Sequence, residues 1–391
     1  MRLVAVVALL ALPVAACSQS KSATPGQAGA SGSVASSSSA APTSVRVVAT
    51  GDMIAHDAIL QEGKQADGSY AFDGMLTNMK PYFDRADVRF CNEATPAGGT
   101  GFPIKGYPVF NAPVEWSRAI EGVGCNVINL GTNHTNDYGQ PVIDATRAAW
   151  DGRPGVLAAT GANRDQAEHD AIAYFTVNGV KFAFLTYLTY NNTHDGTAYG
   201  VNTYTTAGAK AQIVEARANA DVVMVSMRWG TEDVPDVNST QRQDAQELAD
   251  DGADIVLGHG PHSLQPVERL TGASGRDTIV WYSLGNFLNA QLPIEELVGG
   301  LAVMDIDVAT KKVTSIGFLP TFSHYTWTPA QKAAHDLLSR HDFAMYALDQ
   351  AAAVLGDVQN GSTVEDQSNR VNVTLNHDTK VAILTSDQYF R

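Results

Sequence analysis

The stretch "VRVVATGDMIAHD", residues 45–57, decides the fold. A short β-branched run gives way at once to Gly51, Asp52 and His56, the layout of a buried strand ending in a polar turn. The layout recurs. A helical pattern near 73–85 leads to "DVRFC" and Glu93, one near 113–123 leads to "NVINLG" and Asn133-His134, and a third follows near 140–150. Strands alternating with helices are the signature of βαβ units in a layered α/β fold. In "AIAYFTVNGVKFAFLTYL", Asn178-Gly179 joins two alternating runs and predicts a hairpin, so mixed sheets are expected.

Beyond the hairpin, a helix is predicted near 208–219, then the strand "DVVMVSM", then a helix in "STQRQDAQELADDGA" with Thr240 and Gln243 spaced as a capping box. "DIVLG", "TIVWYSLGNF", "GLAVMDIDV" and "VTSIGFLPTF" are expected to complete a second sheet half. Residues 329–355 read as one helix with Leu337, Leu338, Phe343, Ala344 and Leu348 on its inner face, and with His335 and His341 at the surface. Residues 356–391 read as a polar tail with one strand pair.

At 391 residues, 44% hydrophobic and 17% charged, the chain is long enough for one large domain with a small appendage. A formal charge of −15 without any basic run excludes a nucleic-acid surface. "MRLVAVVALLALPVAAC" has one Arg, an apolar stretch too short to span a bilayer, and small residues before Cys17. "LPVAAC" resembles a bacterial lipobox. That resemblance implies cleavage of a signal peptide, residues 1–16, lipidation of Cys17, and anchoring on the outer face of the cell membrane. The Ser-, Ala- and Gly-rich stretch 17–44 then acts as a tether, with an end-to-end distance of roughly 30 Å. Cys91 at the end of one strand and Cys125 at the start of another are expected to lie too far apart to bridge, leaving two buried thiols.

Polar residues gather where strands end. Asp52 and His56, Glu93, Asn133 and His134, Glu232, and the pair His259 and His262 in "IVLGHGPHSLQP" each follow an apolar run. In α/β sheets such positions share one rim, where ligands bind. Carboxylate, amide and imidazole ligands together suit Mn, Fe or Zn, and two such ions about 3.5 to 4 Å apart hold a phosphoester and generate hydroxide. "YNNTHDGTAYG", residues 190–200, reads as a lid or an ordinary exposed loop, with Tyr190 and His194 placed to touch substrate.

At these residues a resemblance enters. "ATGDMIAHD", "NEATPAG", "GYPVFNAP", "INLGTNHTNDYG", "RWGTED", "GHGPHSLQPVE" and "YSLGNFL" occur in the order of the CapA family. These are the poly-γ-glutamate capsule biosynthesis proteins of the calcineurin-like metallophosphatase superfamily. The resemblance covers residues 45–325, leaving 326–391 as a C-terminal appendage. It implies a four-layer α/β/β/α sandwich with a site for one or two divalent ions. Asp52, His56, Glu93, Asn133, His134 and His262 match the family's pocket positions, and His259 matches the adjacent, more variable one.

Two departures stand out: Arg228 replaces the histidine of the family's "HWGxE", and Gly260 stands where a further histidine often occurs. Guanidinium cannot ligate a metal, but it reads carboxylate or phosphate bidentately. Two functions follow. One is an anchored component of poly-γ-glutamate synthesis or export, acting with a membrane synthase complex, with Arg228, Glu232, Tyr190 and His194 on the polymer. The other is an extracytoplasmic metal-dependent phosphoesterase in which His134, His262 and Arg228 serve the reaction.

Overall fold

Two sheets pack face to face, and each is covered outside by helices. The computed structural model describes residues 42–193, 196–358, 361–377 and 379–391. Residues 42–391 form one compact unit. The strands in chain order are β1 (Ser44–Met53), β2 (Val88–Glu93), β3 (Val127–Asn129), β4 (Ala158–Thr160), β5 (Ala173–Val177), β6 (Val180–Leu188) and β7 (Val222–Arg228). They continue with β8 (Ile255–His259), β9 (Val267–Thr271), β10 (Asp277–Trp281), β11 (Val298–Asp307), β12 (Val313–Thr326), β13 (His341–Ala347) and β14 (Ala382–Ile383). The first sheet runs β13-β12-β11-β1-β2-β3-β4 with β14 beside β12, and the second runs β5-β6-β7-β8-β10-β9. β1 to β4 are parallel neighbours, as are β6, β7, β8 and β10. The mixed sheets expected from the Asn178-Gly179 hairpin and the α/β/β/α layering implied by the resemblance are both present.

The layering follows from period-2 alternation. In the second sheet Phe182, Phe184, Met224, Leu257 and Trp281 join the core shared with the first sheet. Their neighbours Ala183, Leu185, Val223, Val225 and Val256 pack instead with Ile213 and Leu248, from the helices Thr206–Asn219 and Ser239–Asp251. On the other side, Trp116, Ile120 and Val123 of the helix Glu115–Val123 close the first sheet. Burying each such side chain stabilises the fold by roughly 1.5–3 kcal/mol.

The sheets are stitched together beside Asp52. Asp52 N–H donates to Gly285 O at 3.0 Å, and Asp52 O accepts from Phe287 N at 2.8 Å. A Cβ at Gly51 would lie 2.1 Å from Gly285 O, so only glycine permits this approach.

Several expectations are corrected. Strands β11 and β12 do not extend the second sheet. They return antiparallel beside β1, with Ala49 opposite Ala302, because apolar alternation does not name a strand's partner. Residues 329–355 are not one helix. A short turn, Pro329–Ala333, is followed by β13, whose buried Phe343, Met345 and Ala347 alternate with partly exposed residues. His335 and Asp342 adopt positive φ, which ends helical geometry, and Leu337 and Leu338 are exposed rather than packed. The tail is not a polar strand pair: it forms the helices Val364–Leu375 and Ser386–Phe390, and β14 pairs with β12. The capping box is Asn238 with Gln241, two residues earlier than Thr240 with Gln243.

Cys91 and Cys125 are not free thiols. They form a disulfide with Cα atoms 5.9 Å apart. Gly124, at φ +124°, turns the chain out of the preceding helix, and Cys125 N–H still donates to Ile120 O. Cys125 therefore sits beside β2 before β3 begins, not a strand's length along it.

Candidate functional site

The carboxyl ends of β1, β2, β7 and β8 converge with the loop after β3 to line a cleft of about 190 Å³. At its base lies Asp52, 1% exposed. Asn92 Nδ2 donates to its Oδ1 at 2.6 Å, and Asn129 Nδ2 donates in turn to Asn92 Oδ1 at 2.7 Å. His262 Nδ1 stands 3.1 Å from Asp52 Oδ2 and 2.9 Å from Asn286 Oδ1. His259 Nδ1 is 3.5 Å from Asp52 Oδ1, an ion-pair distance without an aligned hydrogen bond, and its ring stacks on Phe90. Burial alone would raise the Asp52 pKa, but the two imidazoles hold it well below the usual carboxylate range. For His262, burial pulls the pKa down, yet the hydrogen bond and charge of Asp52 outweigh it and the net direction is up.

Opposite Asp52, the loop after β3 presents Asn133 and His134. His134 Nδ1 lies 2.8 Å from Asp137 Oδ2, which also accepts Phe110 N–H at 2.7 Å. A carboxylate so placed fixes the proton on Nδ1 and turns Nε2 outward as an acceptor.

The last residue of β7 is Arg228, 2% exposed. Its Nε donates to Asn133 Oδ1 at 2.7 Å and its Nη2 to Glu232 Oε1 at 2.9 Å, while the buried Nη1 has no hydrogen-bond partner among the described residues. The guanidinium lies 4.9 Å from the Tyr190 ring centre, and Tyr190 Oη donates to Glu232 Oε1 at 3.2 Å. Burial pushes the Tyr190 hydroxyl up to about 12. The two departures prove to be one feature. Gly260 has φ +120°, and a Cβ there would lie 1.8 Å from Arg228 Nη1, so the guanidinium occupies the space a side chain at 260 would take.

Of the predicted site residues, Asp52, His56, Asn133, His134, Arg228, Glu232 and His262 line one cleft, with His259 buried directly behind Asp52 and Tyr190 against Arg228. Glu93 does not join them. It points to the opposite face of the sheet, accepting from Ser117 Oγ and Trp150 Nε1 at 2.7 Å each, and burial raises its pKa to about 7. His194 and Cys17 lie outside the described residues. Sequence reasoning missed Asn92, Asp137 and Asn286. Alternation along β2 would have found Asn92, since Asn92 and Phe90 share the face that Glu93 and Cys91 do not.

A divalent ion does not fit this arrangement. Among the described residues no three His, Cys, Asp or Glu side chains converge to hold one. His56 Nδ1 accepts Ala290 N–H at 3.1 Å, which leaves Nε2 protonated in the neutral ring, and burial holds the His56 pKa down to about 3. Asn133 Oδ1 is taken by Arg228, and Glu93 is elsewhere. A fixed guanidinium stands among the groups expected to bind metal.

Residues 46–291, more than half of the chain, match the model of the bacterial capsule synthesis protein family PGA_cap. The chain belongs to this family. It is 34% identical over 179 residues to the PGA biosynthesis protein CapA of Bacillus subtilis strain 168, covering 44% of this chain and 45% of that one. It is 32% identical over 248 residues to the capsule biosynthesis protein CapA of Bacillus anthracis, covering 58% and 56%. The chain thus spans about half the length of these relatives. Among solved structures, a novel phosphatase from Mycoplasma pneumoniae aligns at 12% identity with a TM-score of 0.45, over 71% of this PGA_cap chain and 93% of that one.

Proposed function

We propose that this PGA_cap protein is an extracytoplasmic, lipid-anchored component of poly-γ-glutamate synthesis or export, whose cleft binds an anionic group of the polymer or of an intermediate. The buried Arg228 carries the reading. Asn133 and Glu232 hold it rigid in the wall of the cleft through Nε and Nη2, and a guanidinium so held attracts a carboxylate or phosphate by its fixed charge. Relatives named for capsule biosynthesis support the polymer as the source of that group. The Cys91–Cys125 disulfide supports an oxidising compartment, in keeping with the signal-like N-terminus. The test is calorimetric titration of γ-glutamate oligomers into residues 42–391 and into Arg228→Lys and Arg228→Ala variants shown to be folded. Binding at least tenfold weaker in both variants is expected, and equal affinity would sink the reading.

The His134–Asp137 pair favours a second reading, a phosphoesterase, because an imidazole with its tautomer fixed is built to accept or deliver a proton. Phosphodiester turnover with and without added Mn²⁺, lost in His134→Ala, would establish it. No turnover in either condition would leave the binding role.

A further inference from the structure

The cleft does not end at its rim. It shares His56, Tyr107 and Gln291 with a second, more apolar cleft of about 460 Å³, lined further by Leu292, Leu337 and Leu338. Of the nine large apolar side chains exposed among the described residues, four lie here: Tyr107 at 72%, Leu292 at 43%, Leu337 at 43% and Leu338 at 49%. Exposed apolar groups scattered singly are ordinary, but clustered ones mark a binding surface. Nor is this a frayed turn. Arg340, 7% exposed, braces it by donating from Nε to Leu337 O at 2.8 Å and from Nη1 to Ala290 O, with its guanidinium 5.2 Å from the Tyr325 ring centre. The charge of Arg340 is thereby spent on the wall, and the leucines are what the cleft offers.

We propose that the site takes an amphiphile, with an anionic head, carboxylate or phosphate, at Arg228 and an attached apolar chain in the adjoining cleft. This rests on the anion-binding reading of the Arg228 pocket. Two observations carry the added step. The clefts adjoin along three shared residues, and their characters differ as the two ends of an amphiphile do. Arg228 and imidazoles, beside the carboxylates of Asp52, Glu232 and Asp233, line the first, while Tyr107 and the leucines dominate the second, where Asp57 is held by Gly106 N–H and Arg340 by the wall. A concave channel leading out of a charged pocket suits a chain more than a flat bilayer.

The experiment is calorimetric titration of residues 42–391, which enclose the whole core, with ethyl, hexyl and decyl phosphate and the matching carboxylates, all below their micellar concentrations. Affinity is expected to rise roughly fourfold per methylene until the cleft is filled. Leu338→Ser, a change at an exposed position, is expected to flatten that series. Ethyl phosphate binding with no gain from the longer chains overturns the amphiphile alone. Failure of every probe overturns the anion pocket with it. Binding to anionic vesicles that Leu338→Ser abolishes, without chain-length dependence for the monomeric probes, assigns the cleft to a membrane surface and also overturns the proposal.

Discussion

Arg228 and Gly260 are coupled by sterics, and the coupling is measurable. Gly260→Ala adds a Cβ at φ +120° and 1.8 Å from Arg228 Nη1, so it is expected to destabilise the fold by about 2 kcal/mol or more. In the Arg228→Ala background the collision with the guanidinium disappears, while the 2.4 Å approach to Trp229 O and the backbone strain remain. A thermal-unfolding double-mutant cycle should therefore return a clearly non-zero interaction energy, and additive effects would show that the two positions are independent. Glu93 is the other residue whose environment makes a prediction. Its folded pKa, about 7, exceeds its ordinary 4.5, so folding binds a proton between those values. The stability linked to it is fully present below pH 4.5 and lost as pH rises through about 7. Glu93→Gln cannot ionise, and its melting temperature relative to the parent is expected to be higher at pH 8 than at pH 5. A difference independent of pH would count against a protonated Glu93. The type of residue at 93 was legible as unusual, but its direction was not. A carboxylate after a strand reads as a ligand until strand alternation is counted back to Phe90.

At the scale of elements, β13 separates the two readings of residues 329–355. If it is a strand, Phe343→Ala and Met345→Ala each cost about 2–5 kcal/mol, while Leu337→Ala costs little. The helix reading predicts comparable losses at all three, which chemical denaturation would reveal. The error is instructive: apolar residues at 337, 338, 343, 344 and 348 satisfy a helical period, and only the positive φ at His335 and Asp342 and the waiting edge of β12 select the strand. The disulfide joins β2 to the turn just before β3. Removing it with Cys91→Ala/Cys125→Ala is expected to cost about 2–4 kcal/mol. Thiol titration of unreduced, denatured residues 42–391 should find no free cysteine, and two reactive thiols would contradict the bridge.

For the whole molecule, the consequence of the Arg228 cluster is weak metal retention. After dialysis the domain is expected to hold less than one equivalent of Mn or Zn by elemental analysis, since Arg228 takes Asn133 Oδ1 and Ala290 occupies His56 Nδ1. Two retained ions per chain would show that the cleft rearranges to bind them. The C-terminal residues belong to the same body. Tyr389 Oη donates to Tyr82 O at 2.6 Å, and Ser386 bonds to Asp349, so 326–391 completes the first sheet rather than hanging from it.

The sequence alone determined the α/β class, the strand-end rim and the placing of Asp52, His56, Asn133, His134, Arg228, Glu232 and His262 on it, because period-2 burial and polar residues after apolar runs are local signals that survive in one dimension. Tertiary structure decided the rest. Which sheet β11 and β12 join, which way Glu93 points, whether Cys91 reaches Cys125, and that Arg228 fills the space left by Gly260 all depend on neighbours distant in the chain. Such contacts are set by the packing of whole sheets, where one extra residue of register or one missing Cβ reverses the outcome.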